Sequence, residues 1–362
     1  MTSPTARRKD DHLRLALAQH DGTSVRDTDH VRFVHHALAG GAASDVSLAS
    51  PALGWPVPLY VTGMTGGSAR TAEVNRGLGI VARETGVPVA VGSMGIVLRE
   101  PATLSTFTVL REENPDGFVL ANTNANVSGA DAARLVEALG ADALQVHVNA
   151  PQEIAMPEGD RAFGHWAEAI AEIVDAVEVP VVVKEVGAGL SRGSVAALRD
   201  LGVAAVDVAG RGGTDFGAIE SARRPAGERG YLAGWGQSAV TCLLESSDLP
   251  GVGAARGGIG LLASGGVRHA LDVVTLLALG ADAVGVAGTF LRVLVEEGVD
   301  ALVALVRTWL EEVADLMALL GARTVADLRA TDVLLTGPVR EVAELRGIDA
   351  AAYARRSPWS QV

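Results

Sequence analysis

Cysteine is almost absent. Cys242 is the only one in 362 residues, which excludes an internal disulfide and fits a reducing, cytoplasmic setting. Positive charge is in deficit as well: 30 Lys and Arg stand against 43 Asp and Glu, and the net charge of −13 argues against nucleic acid or an anionic membrane surface as partner. No apolar run reaches membrane-spanning length, and the N-terminal MTSPTARRKDDHLRLAL has no apolar core of the signal-peptide type. No His/Cys cluster has zinc spacing. An anionic small molecule stays open as a substrate, provided that a local basic cluster receives it.

What the chain does have is 48% hydrophobic residues, 20% charged residues and 43 glycines, the composition of a globular protein. The glycines gather after short apolar runs. Eight such runs recur: Leu59–Thr65, Val87–Ser93, Gly117–Asn122, Ala143–Asn149, Val179–Val186, Ala204–Gly210, Gly260–Gly265 and Ala283–Gly288. Between them lie stretches with apolar spacing of three and four, among them Ala130–Leu139, Ala167–Val177, Val195–Leu201 and Ala270–Leu279. Continuous apolar strands alternating with amphipathic helices predict an α/β protein, a (β/α)8 TIM barrel, with parallel strands covered by helices. The expected organisation is one domain: an arm over about 1–55, a barrel over about 56–300 and a helical tail over about 301–362. The longest internal loop, Thr214–Gly258, is either a lid or subunit contact or a passive excursion.

Polar residues fall at the ends of these strands, where barrel loops build a shared site. Most informative is Gln145–Arg161, QVHVNAPQEIAMPEGDR. It opens as a buried strand and then delivers His147, Asn149, Gln152, Glu153, Glu158, Asp160 and Arg161. Packing does not explain so many hydrogen-bonding groups, because each costs free energy unless it finds a partner. A solvated polar loop is the plain alternative; a site for something small, polar and metal-chelated explains more. Glu153 is the natural ligand there, since Mg²⁺ is commonly held by one carboxylate with substrate oxygens and waters.

SGGVR (Ser264–Arg268) and AGT (Ala287–Thr289) end the last two runs, where glycine N–H groups and a helix N-terminus receive a cofactor phosphate. Lys184 closes the VVVKEVG run; facing a flavin, it would offset charge on the reduced ring, and its alternative is an ion pair with Glu185. Thr65, Ser93, Asn122 and Thr214 suit the edges of a planar heterocycle. RRKDDH (Arg7–His12), taken alone, reads as a solvated, mobile arm. His30, His35 and His36 read as structural, His165 and His269 as helix starts, and Trp235 as a packing aromatic.

Taken together, RKDDH (Arg8–His12), MTGGS (Met64–Ser68), HVNAPQE with PEGDR, KEVGAGLSR, GRGGTD and SGGVRHALDVV with LALGADAVG resemble the type 2 isopentenyl-diphosphate isomerases over nearly the whole chain. The resemblance implies bound FMN, Mg²⁺, NADPH as flavin reductant, a homo-oligomer (tetramer or octamer) and interconversion of isopentenyl and dimethylallyl diphosphate. Carried over by motif, Arg8, Lys9 and His12 would contact the diphosphate. His147, Asn149 and Gln152 would face the substrate, with Gln152 assisting proton removal, and Glu153 would hold the metal. Met64, Thr65, Ser93, Asn122, Lys184, Thr214, Gly265, Gly266, Arg268, Ala287 and Gly288 would surround the flavin. The chain departs from the family's commoner forms at Gly63, at GSMG, at TNAN after Asn122 and at GGTDF. The alternatives are an FMN-dependent oxidoreductase of the 2-hydroxy-acid oxidase or dihydroorotate dehydrogenase type, and a non-catalytic phosphate-binding barrel.

Overall fold

A computed structural model describes residues 4–19, 26–224 and 228–361, with the side chains of residues 4–8 and 10 outside the description. Its strands are β1 (Val31–Phe33), β2 (Leu59–Val61), β3 (Val89–Ala90), β4 (Val119–Asn124), β5 (Ala143–His147), β6 (Val181–Lys184), β7 (Ala205–Asp207), β8 (Gly260–Ser264), β9 (Ala283–Val286) and β10 (Val333–Leu335). Strands β2 to β9 pair in sequence order, all parallel, and β9 returns to β2 to close the barrel. Each of the eight apolar runs holds one barrel strand. Their Val, Leu and Ala side chains are buried on both faces, which is why they lack polar alternation. Strand β4 runs two residues past its expected end, because Thr123 and Asn124 still pair with Val146 and His147.

The helices are α1 (Pro4–Gln19), α2 (Ala69–Thr85), α3 (Ser105–Glu113), α4 (Gly129–Leu139), α5 (Ala150–Ala155), α6 (Trp166–Ala176), α7 (Arg192–Asp200), α8 (Phe216–Ala222), α9 (Ala239–Ser246), α10 (Ala270–Ala278), α11 (Gly288–Glu296), α12 (Val299–Leu319), α13 (Gly337–Leu345) and α14 (Ala350–Tyr353). Local chemistry starts many of them. Ser68, Ser128, Ser191, Asp215, Ser238 and His269 each accept a hydrogen bond from the exposed N–H groups of the first turn. The four stretches of helical spacing correspond to α4, α6, α7 and α10.

Inside the barrel the side chains lie in layers. Tyr60, Ala90, Leu120, Ala143, Val182, Ala205, Leu262 and Ala283 form an apolar lower layer, plugged from below by Trp55. Two residues further along each strand the layer turns polar, with Asn122, Gln145, Lys184, Asp207 and Ser264 all buried. The expected loop Thr214–Gly258 is largely ordered structure: α8 and α9 stand in it, along with short 3-10 turns. The tail expected to be helical also carries β10, which pairs antiparallel with β1 of the arm, Val31 opposite Leu335. Helix α1 meets α2, α8 and α11 at the barrel's C-terminal mouth and buries Leu13 and Ala16 there. Among the described residues no helix is long and apolar enough to cross a membrane.

Candidate active site

The polar layer is a wired network. Asp207, wholly buried, accepts hydrogen bonds from Tyr60 Oη, from Ser264 Oγ (2.8 Å) and from the Ala209 N–H (3.0 Å). Burial and the Asp207 charge push the Tyr60 phenol well above its ordinary range, so Tyr60 stays a donor. Lys184 is the register neighbour of Asp207 on the adjacent strand. Burial pulls its ammonium down, while the Asp207 and Glu185 carboxylates act to keep it charged.

The Glu185 side chain does not reach back to Lys184. Its Oε2 accepts from the backbone N–H groups of Val186 (2.6 Å), Ala188 and Gly189 (3.1 Å), fastening the KEVGAG turn. Lys184 Nζ donates to the Glu185 carbonyl (2.6 Å) and lines a cleft at the mouth. Met64, Thr65, Thr214, Gly265, Gly266, Arg268, Ala287 and Gly288 line the same cleft, so the structure brings nine of the eleven expected flavin residues together. Ser93 lines a neighbouring recess with Lys9, and Asn122 is buried under His147. At Gly63, one of the departures, a Cβ would lie 2.5 Å from the Val91 carbonyl oxygen; this backbone approach requires glycine.

The SGGVR turn is an anion cradle. Gly265 has φ of +105°, and a Cβ on it would fall 2.0 Å from the Gly210 carbonyl oxygen, so the glycine-rich turns after β7 and β8 touch backbone to backbone. Among the described residues the N–H groups of Gly265, Gly266 and Val267 donate to no protein acceptor. Backbone donors left unsatisfied at a cleft are costly unless a ligand takes them. The first turn of α11 beside them adds the positive end of a helix dipole. A phosphate at this place, with the ring edge toward Thr65 and Lys184, is what FMN would bring, so the residues fit that group.

The fourth loop is held just as firmly. Asn149 Nδ2 donates to Gln152 Oε1 and to Glu153 Oε1 (both 3.0 Å), and Glu153 Oε2 accepts from the Asp160 N–H (2.8 Å). Arg161 ties the PEGDR turn by donating to the carbonyls of Met156, Glu153, Gly159 and Asp160. Gln152 Nε2 donates to Glu220 Oε1 (3.2 Å), and His12 Nε2 lies 2.8 Å from the same oxygen. Burial alone would lift the Glu220 carboxyl; His12, Arg223 and Gln152 outweigh it and hold the group below its ordinary range. Sequence reasoning missed Glu220, which joins the arm, the fourth loop and α8. It also missed Arg99, which opens into the recess beside Lys9 and Ser93.

Helix α1 thus seats Lys9 and His12 over their own chain's barrel mouth; Arg8 lies in the helix, outside the described side chains. His147 is half-buried at the end of β5. Its pKa is pushed down to about 3 by desolvation and by the charges of Lys184 and Lys9, which keeps the imidazole neutral. Among the described residues no group of three or more His, Cys, Asp or Glu side chains is placed to hold a metal ion by itself. Glu153 uses each carboxylate oxygen for one hydrogen bond and keeps further lone pairs, which fits an ion completed by ligand oxygens and waters. Cys242 is buried in α9, and burial pushes its thiol up, contrary to what a nucleophile needs. His165 and His269 occupy N-caps, and Trp235 is exposed.

Comparison with known proteins agrees with this geometry. Residues 155–335 match the FMN-dependent dehydrogenase family. Solved structures of a mandelate oxidase with a monooxide FMN adduct (TM-score 0.61, 19% identity, 90% of this chain and 92% of that one) and of a flavocytochrome b2 (TM-score 0.62, 19% identity, 92% and 80%) share the fold. An isopentenyl-diphosphate delta-isomerase of Kitasatospora griseola is 54% identical over 98% of this chain and 96% of its own. Those of Nocardia farcinica (53%; 98% and 97%) and Staphylococcus saprophyticus (42%; 94% and 97%) match over nearly the same span. The chain belongs to the type 2, FMN-dependent isopentenyl-diphosphate delta-isomerase family.

Proposed function

We propose that the protein interconverts isopentenyl and dimethylallyl diphosphate by a redox-neutral 1,3-proton shift. The observation that carries this reading is the presence of two anion-seeking places at one barrel mouth. One is the 265–267 N–H cradle. The other is the recess lined by Lys9, Ser93 and Arg99, where the Arg99 side chain makes no hydrogen bond or ion pair with the described residues. One place suits a cofactor phosphate and the other a substrate diphosphate.

Bound and reduced, FMN supplies an electron-rich face and an exchangeable proton, with NADPH as the proposed reductant. The rest falls to the chain. Lys9, Arg99 and Arg8 neutralise the diphosphate, and Glu153 would hold Mg²⁺, which would add positive charge for the same group. Asn149 sets Gln152 and Glu153 in place. His147, kept neutral, adds a hydrogen-bonding edge without a positive charge that would repel a cationic centre. Lys184 compensates negative charge at the ring edge. Helix α1, through Leu13 and Ala16, keeps water off the alkene, where a carbocation-like centre would otherwise be quenched. Gln152 takes part in proton removal. Its amide is a weak base, and the Glu220 carboxylate on its Nε2 polarises it. A homo-oligomer is part of the proposal, supported by exposed Tyr231 and Trp235, and light scattering checks it.

The test is proton NMR of isopentenyl diphosphate in D₂O with protein, FMN and Mg²⁺, with and without dithionite. Deuterated dimethylallyl diphosphate under reducing conditions alone is expected. No turnover in either sample, with flavin bound, would shift the reading to an oxidoreductase.

A further inference from the structure

The carbonyls of the phosphate turn are fixed as deliberately as its N–H groups are left open. The Gly266 carbonyl accepts from Arg26 Nη1 (3.0 Å), and the Val267 carbonyl from Thr289 Oγ1 (2.7 Å). In a trans peptide the C=O and the following N–H point in opposite directions. Holding the Gly266 carbonyl on Arg26 therefore turns the Val267 N–H the other way. Arg26 comes from the segment after α1, some 240 positions away. Its side chain is only 9% exposed, and its Nη groups make further contacts close by. Nη1 also pairs with the Asp272 carboxylate, and Nη2 donates to Asp29 Oδ1 (2.7 Å) and lies 3.3 Å from His269 Nε2. Asp272 in turn accepts from the Arg268 N–H (2.8 Å), so that donor is removed from the cradle. One guanidinium thus fixes both flanks of the turn. Nη1 serves the carbonyl and the Asp272 carboxylate while Nη2 holds Asp29, a span across the planar fork that the single nitrogen of a lysine cannot reproduce.

We propose that Arg26 is a positioning residue for the cofactor phosphate: it holds the Val267 N–H turned into the cleft, beside the open N–H groups of Gly265 and Gly266, and never touches the phosphate itself. The arm therefore contributes to cofactor affinity as well as to substrate capture. This rests on the FMN reading, and the experiment separates the two.

Apoprotein is titrated with FMN and, in parallel, with riboflavin, which shares the ring and lacks the phosphate. Wild type is expected to prefer FMN. Arg26→Ala is expected to weaken FMN roughly tenfold or more, the scale of one charge-assisted hydrogen bond, while riboflavin affinity stays within about twofold. Arg26→Lys, which keeps the charge and loses the fork, falls between. Circular-dichroism melts accompany each variant. Equal loss of FMN and riboflavin affinity would mean that Arg26 merely props up the scaffold, and an unchanged ratio would mean that the turn holds itself; either overturns the proposal. Wild-type protein that takes up neither ligand overturns the FMN reading and this inference with it.

Discussion

The two ends of the barrel each bury an aspartate, and they use it to opposite purposes. At the N-terminal end Asp282 accepts from the N–H groups of Leu261 and Ala254 (both 2.8 Å) and pairs with Arg329 (2.6 Å), above a plug of Trp55 packed on Tyr60 and Phe118. The charge is consumed inside the chain. At the C-terminal end Asp207 is held equally well by Tyr60, Ser264 and Ala209, yet its neighbour Lys184 faces a cleft and three backbone donors stand open. A closed network contributes stability; a network closed below and open above presents charge to a ligand without letting the barrel collapse around it.

That contrast is breakable. Trp55→Ala should cost about 3–5 kcal/mol of stability, read by chemical denaturation, while FMN affinity of the folded protein stays near wild type; a parallel fall in both would show that the ends are not separable. Lys184→Gln should do the reverse, with turnover down roughly a hundredfold, the scale of a lost electrostatic donor, and a denaturation midpoint nearly unmoved. Glu153→Ala should raise KM for the diphosphate roughly tenfold or more and abolish the response to Mg²⁺; an undiminished Mg²⁺ response would dismiss Glu153 as the ligand.

The smallest effect concerns His147. Its folded pKa of about 3 lies below the ordinary 6.5, so between those values the unfolded chain binds a proton that the folded chain refuses. Stability is unaffected by this group above pH 6.5 and drains away as pH falls toward 3. In His147→Gln that part of the acid slope should vanish. With diphosphate bound, the imidazole resonance in NMR should titrate at higher pH, because an anion now faces it.

The barrel was legible because its strands are buried on both faces. Runs such as Val181–Val183 carry no polar alternation, and the polar residues of the catalytic mouth interrupt them where the ladder ends. The cleft's glycines and Lys184 were legible for the same reason. Glu220 was not: α8 spans only seven residues, too few for a periodicity, and nothing near Glu220 in sequence points to His12 or Gln152. Arg26 and Gln19 were hidden by distance. Gln19 donates to the Asp215 carbonyl and accepts from the Asp215 N–H, 196 positions away. The arm's helix was masked by its own composition, since RRKDDH reads as solvated and, among the described side chains, only Leu13 and Ala16 mark its buried face.

The β1–β10 ribbon gives this architecture an order in time. Strand β1 has no partner until Val333–Leu335 exist, and bringing those segments together closes a loop of about three hundred residues, an entropic cost of about 5 kcal/mol from chain length alone. By then every barrel strand from β2 to β9 has left the ribosome. Helix α1, which roofs the mouth, packs on α2, α8 and α11, so it is synthesised first yet has its full seat only once Gly288–Glu296 has been made.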